Sequence, residues 1–275
     1  MADSIEAGRS PDTAASRGDS RQPHAVLDLT SRRLKGLKIE RLLDLASRAQ
    51  PMRMLEVGTG SGGIAHYFGT HPQLRCEVVA VDVHDNRLVT EGYRYLQVHD
   101  THLPFPDQSF DVVLTNHVIE HVGNERAQLA HLAEVRRVLR PGGVGYLAVP
   151  NRWMLVEPHY RLAFLSWWPR AWRSRYLLWR RGVAFYDCEP LSVGQLEMLL
   201  QEAGFDFSDR GVEALRLTLE LEYSRRSIHR LVFDRVPDCV LRSLRALNPT
   251  LVYSIVSDKA VFHAREAAPP ARVVT

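Results

Sequence analysis

From residue 31 onward, apolar positions recur in two rhythms that alternate along the chain. Leu34, Leu37, Ile39, Leu42, Leu43 and Leu45 fall at helical spacing. They predict an amphipathic helix over 31–48 that covers one sheet face and ends at Pro51. Short apolar runs at 52–57, 77–82, 94–98, 110–115 and 144–149 each read as a strand. Helical patterns lie between them at 61–69, 85–92 and 124–139. The last of these puts Leu129, Leu132, Val135, Val138 and Leu139 on one face and is expected to stop at Pro141-Gly142-Gly143. This alternation predicts a parallel sheet covered on both faces, with ligands beyond the carboxyl ends of the strands. A helix over 192–203 and further helices within 211–249 follow. Residues 1–25 and 266–275 lack periodicity and are expected to be disordered tails. That leaves 26–265 as one domain, with 151–190 as an insertion after the fifth strand.

Composition narrows this little. The chain has 275 residues, 45% hydrophobic and 24% charged, which suits one globular domain. A net charge of +3 does not by itself point to nucleic acid, and no nucleic-acid-binding module is visible. Cys76, Cys188 and Cys239 are odd in number and far apart, so a disulfide framework is not expected and a cytoplasmic setting is. No apolar run reaches the ~18 residues of a spanning helix, and no signal-peptide pattern opens the chain.

Candidate chemistry begins where the first strand meets its helix. Leu55-Glu56-Val57 runs into Gly58-Thr59-Gly60-Ser61-Gly62-Gly63, four glycines within six residues. Such a turn lets backbone approach a ligand and aims helix amides at it. Nicotinamide, flavin and nucleotide enzymes all use one, and a purely structural loop can look the same. The other strands also end in polar residues: Asp82, Asp100 just past the third strand, and Thr115-Asn116.

Four blocks carry a resemblance: Leu55 to Gly62; Val79-Ala80-Val81-Asp82; Asp100-Thr101-His102-Leu103-Pro104-Phe105-Pro106-Asp107-Gln108-Ser109-Phe110-Asp111; and Arg137-Val138-Leu139-Arg140-Pro141-Gly142-Gly143. Over roughly 50–150 their order resembles a class I S-adenosylmethionine-dependent methyltransferase of the type 11 group. The resemblance implies a Rossmann-like, doubly wound, seven-stranded α/β sheet, mostly parallel, with an antiparallel last strand, its last two strands falling near 205–210 and 250–264. It implies S-adenosylmethionine as cofactor. Gly58, Thr59, Gly60 and Gly62 would lie at its amino-acid end, Asp82 and Val83 at the ribose, and Asp100 and Thr101 at the adenine. Glu56 would orient the loop, Asn116 would face the cofactor, and Asp111 would be structural.

The acceptor side is read from the residues. Asn116-His117-Val118-Ile119-Glu120-His121 lies past the fourth strand, where the transferred methyl group is expected. If it opens a helix, His117 and His121 share a face. His121, then His117, are candidate bases or acceptor contacts, the alternative being histidines that cap or pack the helix. The same residues spell H-x-x-E-H, an inverted zinc-peptidase pattern. That reading leaves the four blocks unexplained, so no metal is assigned.

The insertion carries all five tryptophans and, between 152 and 181, seven arginines against the single acid Glu157. It is expected to form a lid that selects the acceptor. Trp faces and Arg forks suit a glycan or glycolipid hydroxyl. A basic amphipathic helix suits peripheral membrane contact through 152–181. A packed subdomain with a Trp core is the third reading. His159, in Glu157-Pro158-His159, is a candidate second base, and this stretch resembles an insertion of methyltransferases encoded beside surface-polysaccharide genes. The expectation is a monomeric or homodimeric enzyme methylating a glycan or lipid-linked saccharide hydroxyl. A small aromatic or quinone-type acceptor is the alternative, and a non-catalytic cofactor-binding regulator is more remote.

Overall fold

The computed structural model describes residues 28–157 and 160–257. The two tail expectations, and any extension of the last strand past 257, lie outside the described residues. The main sheet is built from β1 (Met52–Val57), β2 (Cys76–Asp82), β3 (Arg94–Gln97), β4 (Phe110–Asn116), β5 (Leu139–Pro150), β8 (Asp206–Asp209) and β9 (Thr250–Val256). A two-stranded hairpin, β6 (Val156–Glu157) with β7 (Leu162–Ala163), stands apart within the insertion. The seven-stranded order is β3-β2-β1-β4-β5-β9-β8. The β1–β2, β1–β4, β2–β3 and β4–β5 pairs are parallel, and β9 runs antiparallel to both β5 and β8.

The sheet is apolar on both faces because strand side chains alternate. Leu55, Val57, Val79, Val81, Leu147 and Val149 point into one core with Leu132, Val135 and Val138 of α3 (Glu125–Val138) and Leu196, Leu199 and Leu200 of α5 (Val193–Glu202). Met52, Met54, Val78, Ala80, Val112 and Leu114 point the other way. There they meet Ile39 of α1 (Leu29–Leu42) and Ile64, Ala65 and Phe68 of α2 (Gly63–Gly69). Farther along that face lies Ala214 of α6 (Gly211–Glu222).

Three local expectations are corrected. No helix forms over 85–92. The Asp85 carboxylate accepts from the Arg87 amide at 3.3 Å and its guanidinium at 2.7 Å, a local arrangement that competes with helix. The Leu88 and Val89 amides donate to the Ser61 carbonyl instead of a preceding turn, laying this segment on the glycine turn. Pro141-Gly142-Gly143 does not stop α3, which ends at Val138; Leu139 already pairs with Phe110, and the Pro-Gly-Gly run lies inside β5 where its register with β4 shifts. Residues 117–121 form no α-helix: His117 is left-handed at φ 58°, and only Ile119–His121 make a 3-10 turn.

Candidate active site

Polar residues converge at the carboxyl ends of β1, β2 and β4, where the strand order switches, β2 lying on one side of β1 and β4 on the other. Gly62 sits at φ 79°, and a Cβ there would lie 2.1 Å from Tyr93 Oη and 2.5 Å from the Val89 carbonyl oxygen. A Cβ on Gly58, at φ 73°, would lie 2.4 Å from a Val118 methyl. The turn therefore requires glycine for backbone shape and for space. The Gly60 amide donates to Asp82 Oδ2 at 2.8 Å and the His84 amide to Asp82 Oδ1 at 3.3 Å, which ties the end of β2 to the turn. No helix begins there for Asp82 to cap. Each carboxylate oxygen keeps a lone pair for a further donor.

Glu56 is 2% exposed and accepts from Thr59 Oγ1 at 2.7 Å. Burial pushes its carboxyl up to about 8, against the Thr59 hydrogen bond and the Arg32 charge. Asn116 Oδ1 and Ser61 Oγ are buried with no hydrogen-bond partner. Unpaired buried polar atoms at strand ends are what a site for a polar cofactor presents. Asp100 is exposed beyond β3 and accepts from the His102 amide at 2.8 Å; Thr101 is half-buried beside it, and Val83 is exposed. Asp111 lies away from this cluster, accepting from the Arg53 amide and Arg140 guanidinium at 2.8 Å each, a role in strand packing.

The turn after β4 gathers charge differently. His117 Nδ1 lies 3.3 Å from Glu120 Oε1, and His121 Nε2 lies 4.0 Å from the same oxygen. Glu120 is 0% exposed, and neither carboxylate oxygen has an aligned hydrogen-bond donor. Burial alone would raise its pKa, but the two imidazoles outweigh it and the net shift is downward. Behind it, Thr115 Oγ1 meets His131 Nε2 at 3.1 Å. Burial holds the His131 imidazole down at about 4.

The insertion is folded onto this turn. Its ends meet where Asn151 bridges Leu191. Near its far end the Glu189 amide donates to the Glu120 carbonyl at 2.8 Å, and the Gln128 side-chain amide donates to the Ile119 and Glu189 carbonyls. Its small core is Leu162, Leu165, Leu177, Tyr186 and Cys188, with Leu177 supplied by α4 (Arg170–Arg181). The tryptophans are not that core: Trp172 is 55% exposed and Trp179 76%. The packed-Trp expectation is thereby corrected; Leu, Tyr and Cys fill the interior and leave the indoles outside. His159 lies outside the described residues.

A seven-stranded sheet in this order, with a glycine turn after β1 and an acid ending β2, defines a Rossmann-like α/β protein that binds a nucleoside-type cofactor. A family model described as a methyltransferase domain matches residues 55–147. A protein of Mycolicibacterium smegmatis described as a "Probable S-adenosylmethionine-dependent methyltransferase" is 35% identical over 113 residues, 39% of this chain and 42% of that protein. A ubiquinone/menaquinone biosynthesis C-methyltransferase of Shewanella frigidimarina is 27% identical over 112 residues, 37% of this chain and 43% of that one. The chain thus spans less than half the length of these curated relatives. Among solved structures, a chain from the complex of the Haloferax volcanii Trm112 methyltransferase activator with a methyltransferase superposes with a TM-score of 0.50. At 16% identity over 83% of this chain and 95% of that one, it bears on the fold alone. Residues 55–147 thus match a methyltransferase domain, and a curated relative of this chain is described as S-adenosylmethionine-dependent.

Sequence reasoning overlooked His131 and Asp187 and used Cys188 only to judge redox setting. It weighed Glu120 only as a peptidase base. A carboxylate between two histidines was the available signal for Glu120. For Asp187 and Cys188 spacing offers none, since they reach the turn through the fold of the insertion.

Proposed function

We propose that the protein transfers the methyl group of S-adenosylmethionine to a hydroxyl of a lipid-linked saccharide held over the 116–121 turn. The observation that carries this reading is the buried Glu120 carboxylate with His117 3.3 Å away, at the strand end next to the glycine turn. When bound, the cofactor supplies a methyl group activated by its sulfonium. The close-approaching backbone of the Gly58–Gly62 turn and the carboxamide of Asn116 would hold its amino-acid end, with Glu56 and Thr59 stiffening the turn. Asp82 would accept hydrogen bonds from the ribose hydroxyls beside Val83, and Asp100 and Thr101 would flank the adenine.

Alignment of donor and acceptor supplies most of such a rate enhancement. A base adds to it when the acceptor is a hydroxyl. We assign that base to His117. Glu120 Oε1 lies 3.3 Å from Nδ1, so a small turn of the ring would let the carboxylate accept the Nδ1 proton and leave Nε2 to take the acceptor proton. His121 is assigned away from the proton transfer, because its Nδ1 is turned toward Cys188 Sγ at 3.8 Å.

The insertion supports a lipid-borne acceptor. Trp172, Leu178 and Trp179 are exposed on α4 together with Arg175, Arg180 and Arg181. No helix of the described residues is long and apolar enough to cross a membrane. An exposed Trp and Arg helix suits an anionic lipid surface instead. Methyl transfer from labelled cofactor to saccharides on a lipid carrier, measured against hydroquinone acceptors, tests the reading. Transfer to the hydroquinone alone rejects the saccharide, and binding without transfer to either class supports the regulator alternative.

A further inference from the structure

Outside the roles above, one group of side chains is brought together from distant parts of the chain. His121 comes from the turn after β4, and Asp187 and Cys188 come from the far end of the insertion. One ligand atom from each lies within 4.8 Å of the other two. Cys188 Sγ is 3.8 Å from His121 Nδ1 and 3.6 Å from Asp187 Oδ1. A tetrahedral ion with bonds of ~2.3 Å to sulfur and ~2.0 Å to nitrogen or oxygen sets those edges near ~3.5 Å. Both sulfur edges are close to that value, and closure of the His121–Asp187 pair, which lies within 4.8 Å, would bring all three donors onto one ion.

The surroundings match what metal ligands need behind them. A ligating histidine is usually oriented by a carboxylate on its other ring nitrogen. Here His121 turns Nε2 toward Glu120 Oε1 at 4.0 Å, and that fully buried carboxylate has no aligned hydrogen-bond donor. Asp187 Oδ1 accepts from the Tyr160 hydroxyl at 3.0 Å, which fixes the second ligand in the same way. Burial differs across the set: Cys188 is buried while His121 and Asp187 are half-exposed, so an ion can enter from the solvent side.

We propose that His121 Nδ1, Cys188 Sγ and Asp187 Oδ1 form a three-donor zinc site, with a fourth position for water or an oxygen of the acceptor. Thiolate, imidazole and carboxylate together favour zinc over magnesium or calcium, which take oxygen donors. Two anionic ligands balance the ion's charge. Binding displaces the Cys188 thiol proton to solvent and leaves the ion without redox change. The donor set differs from the inverted peptidase pattern, because His117 is outside it and Glu120 stands behind a ligand. Any part in catalysis, by polarising an acceptor hydroxyl, rests on the methyl-transfer reading; the metal site does not.

The test uses the full chain, stripped of metal and titrated with zinc against a chromophoric chelator, then with cobalt(II) as a spectroscopic probe. One equivalent of zinc is expected, with thiolate-to-cobalt charge-transfer absorption and tetrahedral ligand-field bands. Cys188→Ser should abolish that absorption. Asp187→Asn and His121→Ala should each weaken zinc binding at least ~10-fold. A Cys76→Ser, Cys239→Ser double variant should bind zinc as the wild type does. Cys188 belongs to the insertion's small core, so circular dichroism accompanies each variant; if Cys188→Ser fails to fold, the half-exposed Asp187→Asn decides. No stoichiometric zinc in the wild type, or zinc retained with unchanged affinity in the folded variants, overturns the site. Calorimetry with S-adenosylmethionine on the same samples keeps the two readings apart: zinc without cofactor binding sinks only the methyl-transfer reading.

Discussion

The two sides of the crevice are built on different plans. On the cofactor side, β1, the glycine turn, β2 and β4 bring their polar residues together through strand ends in one parallel sheet. Each such residue sits at a fixed offset from an apolar run, so local order carries the geometry. On the acceptor side, one short turn is met by residues some 70 positions away, through the Glu189 amide and the Cys188 thiol. No period relates these groups, and only the insertion's own packing places them. A fold of this kind can keep the first side and exchange the second, which is the usual way one architecture serves many acceptors.

His117→Ala is the largest way to separate the sides. Turnover should fall ~10²–10⁴-fold, the usual contribution of a positioned base. Cofactor affinity by calorimetry should stay unchanged, because the His117 imidazole faces Glu120, which is not assigned to the cofactor. Unchanged turnover with a hydroxyl acceptor would falsify the assignment and leave alignment as the main contribution.

Glu56 probes the cofactor side through pH. Burial raises its folded-state carboxyl to about 8 from 4.5. Between those values the folded chain holds a proton that the unfolded chain releases, so stability should fall as pH rises. The contribution is fully present below pH 4.5 and lost above about pH 8. Denaturant titrations across that window should show a loss of about 2–4 kcal/mol in the wild type. The profile should be flatter in Glu56→Gln, and parallel profiles would show that the carboxyl is not the group responsible.

Asp82→Ala removes the acceptor of the Gly60 amide as well as the proposed ribose ligand. Cofactor affinity should drop at least tenfold, about 1.4 kcal/mol. Asp82→Asn should lose less, since its carboxamide oxygen still serves one donor. Equal losses for both would point to charge rather than hydrogen bonding.

How far each side could be read beforehand follows from the same contrast. Met52–Val57, Cys76–Asp82 and Phe110–Asn116 were legible because strands covered on both faces are continuous apolar runs, and the glycine turn because its residues are consecutive. The 85–92 segment was misread because a helix was expected between two parallel strands, whereas the Asp85 side chain and the Ser61 carbonyl take its amides. The histidine pair was misread because a left-handed His117 breaks the helix that its spacing suggested. That conformation costs roughly 1–2 kcal/mol for a residue with a Cβ. Such a cost is commonly found at working sites. Asp187 and Cys188 carried no pattern to read.

The smallest expected effect on stability tests the outer surface of the insertion. Trp172 and Trp179 are more than half exposed, and the insertion's core closes without them. Replacing either by Ala should therefore change folding stability by no more than about 0.5 kcal/mol. Each indole does lie against a neighbour: Trp168 and Trp172 stack at 6.0 Å, and the Arg180 guanidinium sits 5.3 Å over Trp179. Those contacts are at the surface, where such pairs contribute little. If α4 meets an anionic bilayer, Trp172→Ala and Trp179→Ala together should remove most co-sedimentation with anionic vesicles while leaving transfer to a soluble saccharide intact. Arg180→Glu with Arg181→Glu should do the same and make residual binding insensitive to salt. If the indoles instead grip the sugar, the Trp variants lose transfer to the soluble acceptor and keep the vesicles. The two outcomes are opposite in sign, so one pair of assays decides whether the insertion is a membrane contact or a wall of the acceptor pocket.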